Sequence, residues 1–241
     1  MARGLLDFCF PRQCPSCEGS HESATLLCDE CEAEMAKLST APRCQQCAMP
    51  AKEHRAPCPH CMSRGLRPFD RVVCLGVLRD PIKAVIHQAK YAARWTLAEY
   101  LADCATQRED VREVLSMAAC LAPVPLYRRR QVQRGYNQSD VVARRMAGKL
   151  AVVRPAVRVR DTRTQTELRS REARAENLRD AFLLVNPKCI AGRHVVLVDD
   201  VMTSGATLLS LARTLKAAKP ASLSAIVMAV ADPKGRAFEV I

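Results

Sequence analysis

Eight cysteines constrain the first part of this chain more tightly than any other feature. Cys14 and Cys17 stand two residues apart, and ten residues later Cys28 and Cys31 repeat that spacing. The pattern recurs as Cys44 and Cys47, ten residues, then Cys58 and Cys61. A Cys-x-x-Cys turn aims two sulfurs at one point. Two such knuckles complete a tetrahedral thiolate cage, the geometry Zn²⁺ accepts in closed structural sites. Four knuckles in two equal units therefore predict two structural zinc sites. Consecutive sets keep each unit self-contained; interleaved pairing is the arrangement the spacing leaves open. His60, between two of these cysteines, reads as a bystander.

The remaining cysteines fit a reducing compartment. Thirteen is an odd number, so complete pairing into disulfides is impossible. Asp7 and Pro11 interrupt any signal-peptide core near the amino terminus, and no apolar run is long enough for a membrane span. The expected location is therefore the cytoplasm, with no membrane partner. Cys9, Cys74, Cys104, Cys120 and Cys189 lie in apolar contexts and read as small hydrophobes.

Composition divides the chain near residues 65–70, where Gly65 and Pro68 punctuate it. The expected units are a double zinc-ribbon module over 1–68 and an α/β domain over 69–241, with apolar strands alternating with amphipathic helices. Charge divides at the same place. The whole chain carries +12, from 37 basic and 25 acidic residues. Residues 1–70 hold 8 Lys/Arg and 9 Asp/Glu, a net −1, whereas 128–179 hold 15 and 5, a net +10. Two Zn–thiolate cages, each a formal −2, would take the first part to about −5 and the chain to about +8. Aromatic residues make up only 4% of the chain, which argues against nucleic acid held mainly by stacked aromatic platforms.

The second chemical signal runs from Val195 to Thr207. Val195-Val196-Leu197-Val198 reads as a buried central strand, and Asp199-Asp200 follow it. Thr203, Ser204, Gly205, Ala206 and Thr207 then form a small-residue loop before an apolar helix over Leu208–Ala218. Such a loop can wrap backbone N–H groups round a phosphate, with the helix's positive end at the same spot. Adjacent carboxylates would repel that phosphate but suit the hydroxyls of a cis-diol. Cradle and diol acceptors together describe a 5-phosphoribosyl group. No Gly-Lys-Ser/Thr and no Gly-x-Gly occurs, so neither a Walker loop nor a dinucleotide fingerprint is present.

This block resembles the 5-phosphoribosyl-1-pyrophosphate (PRPP) motif of the type I phosphoribosyltransferases. Ile86 to Tyr91, Leu121 to Leu126, Arg128-Arg129-Arg130, Arg134 to Ser139, and Gln165 to Asn177 with Arg171 inside it are similar to one branch, the ComF/GntX family. That resemblance implies a type I phosphoribosyltransferase-like parallel sheet behind amino-terminal zinc ribbons. It implies Asp199 and Asp200 at the ribose hydroxyls, Mg²⁺ with the pyrophosphate, and Thr203 to Thr207 round the 5-phosphate. Lys90 at the pyrophosphate and a closing loop near 161–179 are implied too, as is a setting in DNA uptake, competence or DNA utilisation. Two stretches depart from the family pattern: Ala217-Ala218-Lys219-Pro220, which lacks a glycine cap, and the tail from Asp232 to Arg236.

The basic segment reads in two ways. Arg128, Arg129 and Arg130 follow a strand end at Pro125-Leu126, where cations suit a pyrophosphate. The next helix, with Asn137 or Ser139 as its cap, buries Val141, Val142, Met146 and Leu150 and turns Arg144, Arg145 and Lys149 to solvent. A second cluster, Arg158, Arg160, Arg163, Arg169, Arg171, Arg174 and Arg179, surrounds the expected closing loop. One PRPP does not need so much charge. Two functions follow: a phosphoribosyltransferase with an unnamed acceptor, or a non-catalytic adaptor on the PRPP fold that binds single- or double-stranded DNA, or competence-machinery proteins. No residue is singled out as a general base, and oligomeric state has no sequence signature here.

Overall fold

The computed structural model describes residues 12–54, 58, 61, 66–91, 94–161 and 180–231. Cys9, His60, Arg163, Arg169, Arg171, Arg174, Arg179, all but Asp161 of the closing loop expected near 161–179, and the tail beyond Ala231 lie outside those residues.

A five-stranded parallel sheet organises the chain. Its strands are β3 (Arg71–Val77), β4 (Cys120–Pro123), β5 (Ala151–Val152), β8 (His194–Met202) and β9 (Ser222–Val230), in spatial order β3-β9-β8-β4-β5. Strand β8 is thus central, with parallel partners on both sides. Its apolar run is continuous because both faces are covered. Val195 and Leu197 point into one core, Val196 and Val198 into the other.

Helices α2 (Ile82–Tyr91), α3 (Trp95–Thr106), α4 (Glu109–Met117) and α6 (Gln138–Ala147) cover the face that holds Val196 and Val198. Helix α7 (Ala206–Leu215) covers the other through Leu208, Leu211 and Leu215. A seven-residue helix, α5 (Arg128–Arg134), buries none of its residues. Strands β6 (Ala156–Arg158) and β7 (Phe182–Leu184) form an antiparallel pair beyond the sheet. Among the described residues, no helix is long and apolar enough to cross a membrane.

The cysteine-rich part adds β1 (Arg12–Gln13), β2 (Ser20–His21) and α1 (Asp29–Thr40). Little of it is a core of its own. Cys14, Leu27, Met35 and Leu38 join the α2–α6 face of the sheet, while Cys44, Cys47, Cys58 and Leu66 join the α7 face. Buried Arg43 fastens the two parts together, donating to the backbone oxygens of Cys74 and Leu75 on β3 and of Leu38 and Ser39 on α1. At Gly76 on β3 a Cβ would meet Ile82 Cδ1 at 2.6 Å and Leu38 O at 3.0 Å, so only glycine lets α1 pack this closely.

Several local expectations change. Strand β8 does not stop at the carboxylates: Asp199, Val201 and Met202 stay in register with Val227, Ala229 and Val230 of β9. The long β9 carries the ladder onward, whereas β4 ends with Pro123 opposite Val198. That end also precedes the Pro125-Leu126 expected from sequence. From Asp199 onward, β8 is therefore paired on one edge only. The helix after the loop starts earlier, at Ala206, and its last turn tightens to a 3₁₀ segment, Lys216–Ala218. Lys219 takes the left-handed capping conformation usual for glycine, with φ of 51°.

Candidate functional site

The eight predicted zinc ligands gather into two clusters, Cys14/Cys17/Cys28/Cys31 and Cys44/Cys47/Cys58/Cys61, each with its sulfurs within 4.8 Å of one another. The consecutive pairing is the one that forms. A tetrahedral cage with Zn–S bonds of about 2.3 Å has S···S edges of about 3.8 Å. The edges here are 3.7 Å for Cys17–Cys28 and Cys44–Cys61, 3.6 Å for Cys47–Cys58 and 3.9 Å for Cys58–Cys61. These donors fit two structural zinc sites. Of the other thiols, Cys74 and Cys120 are buried, and burial raises both. Cys104 and Cys189 are partly exposed.

The acidic pair lies where β4 has stopped. Asp199 is buried, and its Oδ1 accepts from Ser139 Oγ at 3.2 Å and from the Asp200 N–H at 2.9 Å. Burial, reinforced by the Asp200 charge, pushes Asp199 up to about 7, against the pull of that N–H, Lys90 and Ser139. Lys90 Nζ pairs with Asp200 Oδ2 at 2.9 Å, both side chains being 18% exposed. Lys90 therefore sits at the acidic pair, whereas the family resemblance implies a place for it at the pyrophosphate.

Ser139 reaches Asp199 because Asn137 caps α6, accepting the Ser139 N–H at 3.1 Å and donating to Val124 O at 3.0 Å. Sequence reasoning left Asn137 and Ser139 as alternative caps. The two share the work, one capping and one facing the carboxylate. Arg144 and Arg145 are exposed as expected, though they pair with Asp140 and Asp103.

The small-residue loop follows directly. Ser204, Gly205 and Ala206 are buried, Thr203 and Thr207 partly so. Gly205 has φ of 75° and is the N-cap of α7, a position at which it offers no side-chain cap. Ser204 Oγ is buried and has no hydrogen-bond partner among them. A buried hydroxyl without a partner costs free energy unless a ligand satisfies it. This loop fits a phosphate.

The basic residues distribute unevenly. Arg130 Nε lies 3.4 Å and Arg129 Nη1 3.8 Å from Asp161, and Arg128 is exposed on the wall of a cavity of about 550 Å³. That cavity opens beyond the end of β4 and runs from Pro123 and Pro125 past Asn137 to Arg154 and Arg158. Arg158 is the residue sequence reasoning placed only in a loop cluster. Burial and the Arg130 charge lower it, while Asp199 and Asp161 raise it, so it links the acidic pair to the basic rim. Arg134 stacks over Tyr91 at 5.4 Å and donates to Gln138 Oε1 at 3.3 Å, on the Lys90 side. Arg171 lies outside the described residues.

Comparison with known proteins gives the same two-part reading. The Double zinc ribbon domain family matches residues 5–62, and the Phosphoribosyl transferase domain family matches 133–240. The DNA utilization protein YhgH of Salmonella typhimurium is 34% identical over 178 residues, spanning 71% of this chain and 77% of that protein. The chain belongs to the ComF/GntX family. Another member, the Competence protein F of Haemophilus influenzae, is 29% identical over 216 residues, 86% of this chain and 92% of that one. Among solved structures, the HGPRT-ase of Leishmania tarentolae in complex with GMP is 22% identical and spans 66% of this chain and 74% of its own. Its TM-score of 0.27 is too low to carry a structural inference. In this ComF/GntX member, the phosphoribosyl transferase match takes in Asn137, Ser139, both carboxylates and the loop.

Proposed function

We propose that this chain binds PRPP, or a closely related phosphoribosyl ligand, with Mg²⁺, and serves in DNA uptake or utilisation in the cytoplasm. One juxtaposition carries the reading: two carboxylates and a small-residue loop with a buried, unpartnered Ser204 hydroxyl share one strand end. In this reading Asp199 and Asp200 accept from the ribose hydroxyls. Thr203, Ser204, Gly205, Ala206 and Thr207 hold the 5-phosphate, and the positive end of α7 lies at the same place. Lys90, Arg134 and Arg128 to Arg130, with Arg171 from the closing loop, supply cations for the pyrophosphate. Mg²⁺, bound with the pyrophosphate, would offset its negative charge. The cavity beside Pro123 is where an acceptor meets the ribose.

Transfer of the ribosyl group needs positioning and charge stabilisation more than a nucleophile. The chain's own contribution is then to orient the diol through Asp199, held by Ser139, and to keep cations round the leaving group. A second reading has its own support: 128–179 carries +10, more than one PRPP requires. In it the same ligand regulates an adaptor that contacts DNA phosphates or competence-machinery proteins, in keeping with the names of the relatives.

Calorimetry with PRPP and Mg²⁺ tests what the two readings share. Wild type should bind, and D199N/D200N should not. A wild-type chain that ignores PRPP refutes both. Pyrophosphate release with a panel of bases and nucleotides then separates transferase from adaptor.

A further inference from the structure

Helix α2 shares an apolar core with the first ribbon and adds a hydrogen bond to it from one side chain. Gln88 Nε2 donates to Pro15 O at 2.9 Å, and Pro15 lies between Cys14 and Cys17 within the first zinc knuckle. The knuckle is closed by backbone bonds from Cys14 N to Gly19 O and from Glu18 N to Cys14 O, both 2.9 Å. Pro15 therefore presents a fixed acceptor. The other end of the same amide, Gln88 Oε1, accepts from Arg94 at 2.8 Å, just beyond the helix. Two residues along, on the last turn of α2, is Lys90, paired with Asp200. The last turn of a helix frays unless something outside holds it. Here the zinc knuckle holds it, and that turn carries the cation of the acidic pair.

The second ribbon reaches the site from the opposite face of the sheet. Leu66 is buried in one apolar cluster with Cys44, Cys47, Cys58, Met202 and Ala206. Its Cδ2 lies so close to Gly205 that a Cβ there would overlap it. A tight turn, closed by Phe69 N to Leu66 O at 2.8 Å, keeps Leu66 against the loop. The loop that fits a phosphate thus rests on a side chain supplied by the ribbon's edge.

We infer that the two ribbons are walls of the phosphoribosyl site, acting through two positioning residues. Gln88 holds Lys90 at the acidic pair from the first knuckle, and Leu66 supports Gly205 from beneath the loop. The inference rests on the proposed phosphoribosyl site for its meaning, but the mechanical coupling can be read without ligand.

The test uses full-length, zinc-loaded protein and the variants Q88M, Q88E and L66A, each first shown to keep two zinc ions. Amide hydrogen exchange without ligand is measured first. Q88M and Q88E should speed exchange in 86–91 and leave 203–207 unchanged, and L66A should do the reverse. Q88E keeps an acceptor for Arg94 but loses the donor to Pro15, so a wild-type pattern from it would assign the effect to Arg94 and overturn the role of the knuckle. Uniform acceleration across the chain in any of the three variants would show mere destabilisation and overturn the inference. PRPP titration follows. Q88M should weaken binding about fivefold, as expected for one lost hydrogen bond. In a K90M background Q88M should add less than about twofold, since coupled residues are not additive. Full additivity would overturn the link to Lys90. If wild type does not bind PRPP, the proposed function falls, and the exchange pattern still decides whether the ribbons hold the two segments.

Discussion

The ribbons and the parallel sheet reach order by opposite means. Among the described residues of the ribbons, the named elements are two two-residue strands and the helix α1, and much of the surface is exposed. Their short-range order comes from sulfur geometry. By contrast, β8 and β9 are buried along nearly their whole length, and their order comes from apolar area covered on both faces. Each part nevertheless lacks what the other supplies. Leu27, Met35 and Leu38 have no core except the sheet's, and the sheet's outer faces are finished by the cysteine clusters. A metal site can fix a fold without a core of its own, provided a neighbour takes up its few apolar residues.

The largest effect should come from removing the metal, because it attacks that exchange directly. Structural zinc contributes about 10 kcal/mol or more per site in small metal-dependent folds. Chelation should release two zinc ions per chain, melt the ribbons and uncover both sheet faces, so the sheet loses stability as well. Circular dichroism and melting of apo and zinc-loaded protein check this. If the sheet of the apo chain melts within about 3 °C of the loaded one, the two parts are independent and the comparison breaks.

Next in size is D199N/D200N, which leaves the ribbons alone. It should cost PRPP binding at least about 100-fold, since two diol acceptors become amides. Melting should rise or stay level, because Asp199 is a buried acid beside a like charge. Zinc content should not change. A variant that loses zinc would show that the acidic pair, and not only the sheet, supports the ribbons.

G205A probes the contact between the parts. The residue has φ of 75°, and the added methyl would overlap Leu66. Strain of this kind costs about 1–3 kcal/mol at a residue without glycine's freedom. Melting should fall accordingly, and L66A in the same chain should restore part of the loss by making room. No restoration would mean that the backbone conformation alone carries the cost.

How much of this was readable in the sequence follows the same division. The cysteine spacing contains its own geometry, so both cages were legible, while the choice of consecutive over interleaved pairing needed the fold. Val195 to Thr207 is also local: strand, carboxylates, loop and helix are contiguous. Family resemblance singled out Lys90 for the pyrophosphate, but its pairing with Asp200 was not legible. Nothing in the sequence marks Gln88 against Pro15, 73 residues away, or Leu66 against Gly205. Both contacts depend on how the ribbons dock, which periodicity does not encode. Arg158 was hidden for a related reason. Its burial comes from the β6–β7 pair and the Tyr127 bridge, not from its sequence neighbours. The strand overrun at β8 was missed because a carboxylate pair looks like a strand end until the length of β9 is known.

The smallest effect separates site from scaffold by pH. Asp199 has its folded value raised from 3.8 to about 7, so its protonated form favours the folded state. The stability it contributes is fully present below pH ~4 and is lost as pH rises through about 7. Ligand binding should run the other way, since the ribose hydroxyls need the carboxylate as acceptor. Between pH 6 and pH 8 a group titrating near 7 passes from roughly one-tenth to nine-tenths ionised, so PRPP affinity should rise by about tenfold. In D199N that rise should vanish while melting no longer falls over the same interval. Wild-type binding that is level across this range would remove Asp199 from the diol and leave Asp200 with Lys90 as the only acidic contact.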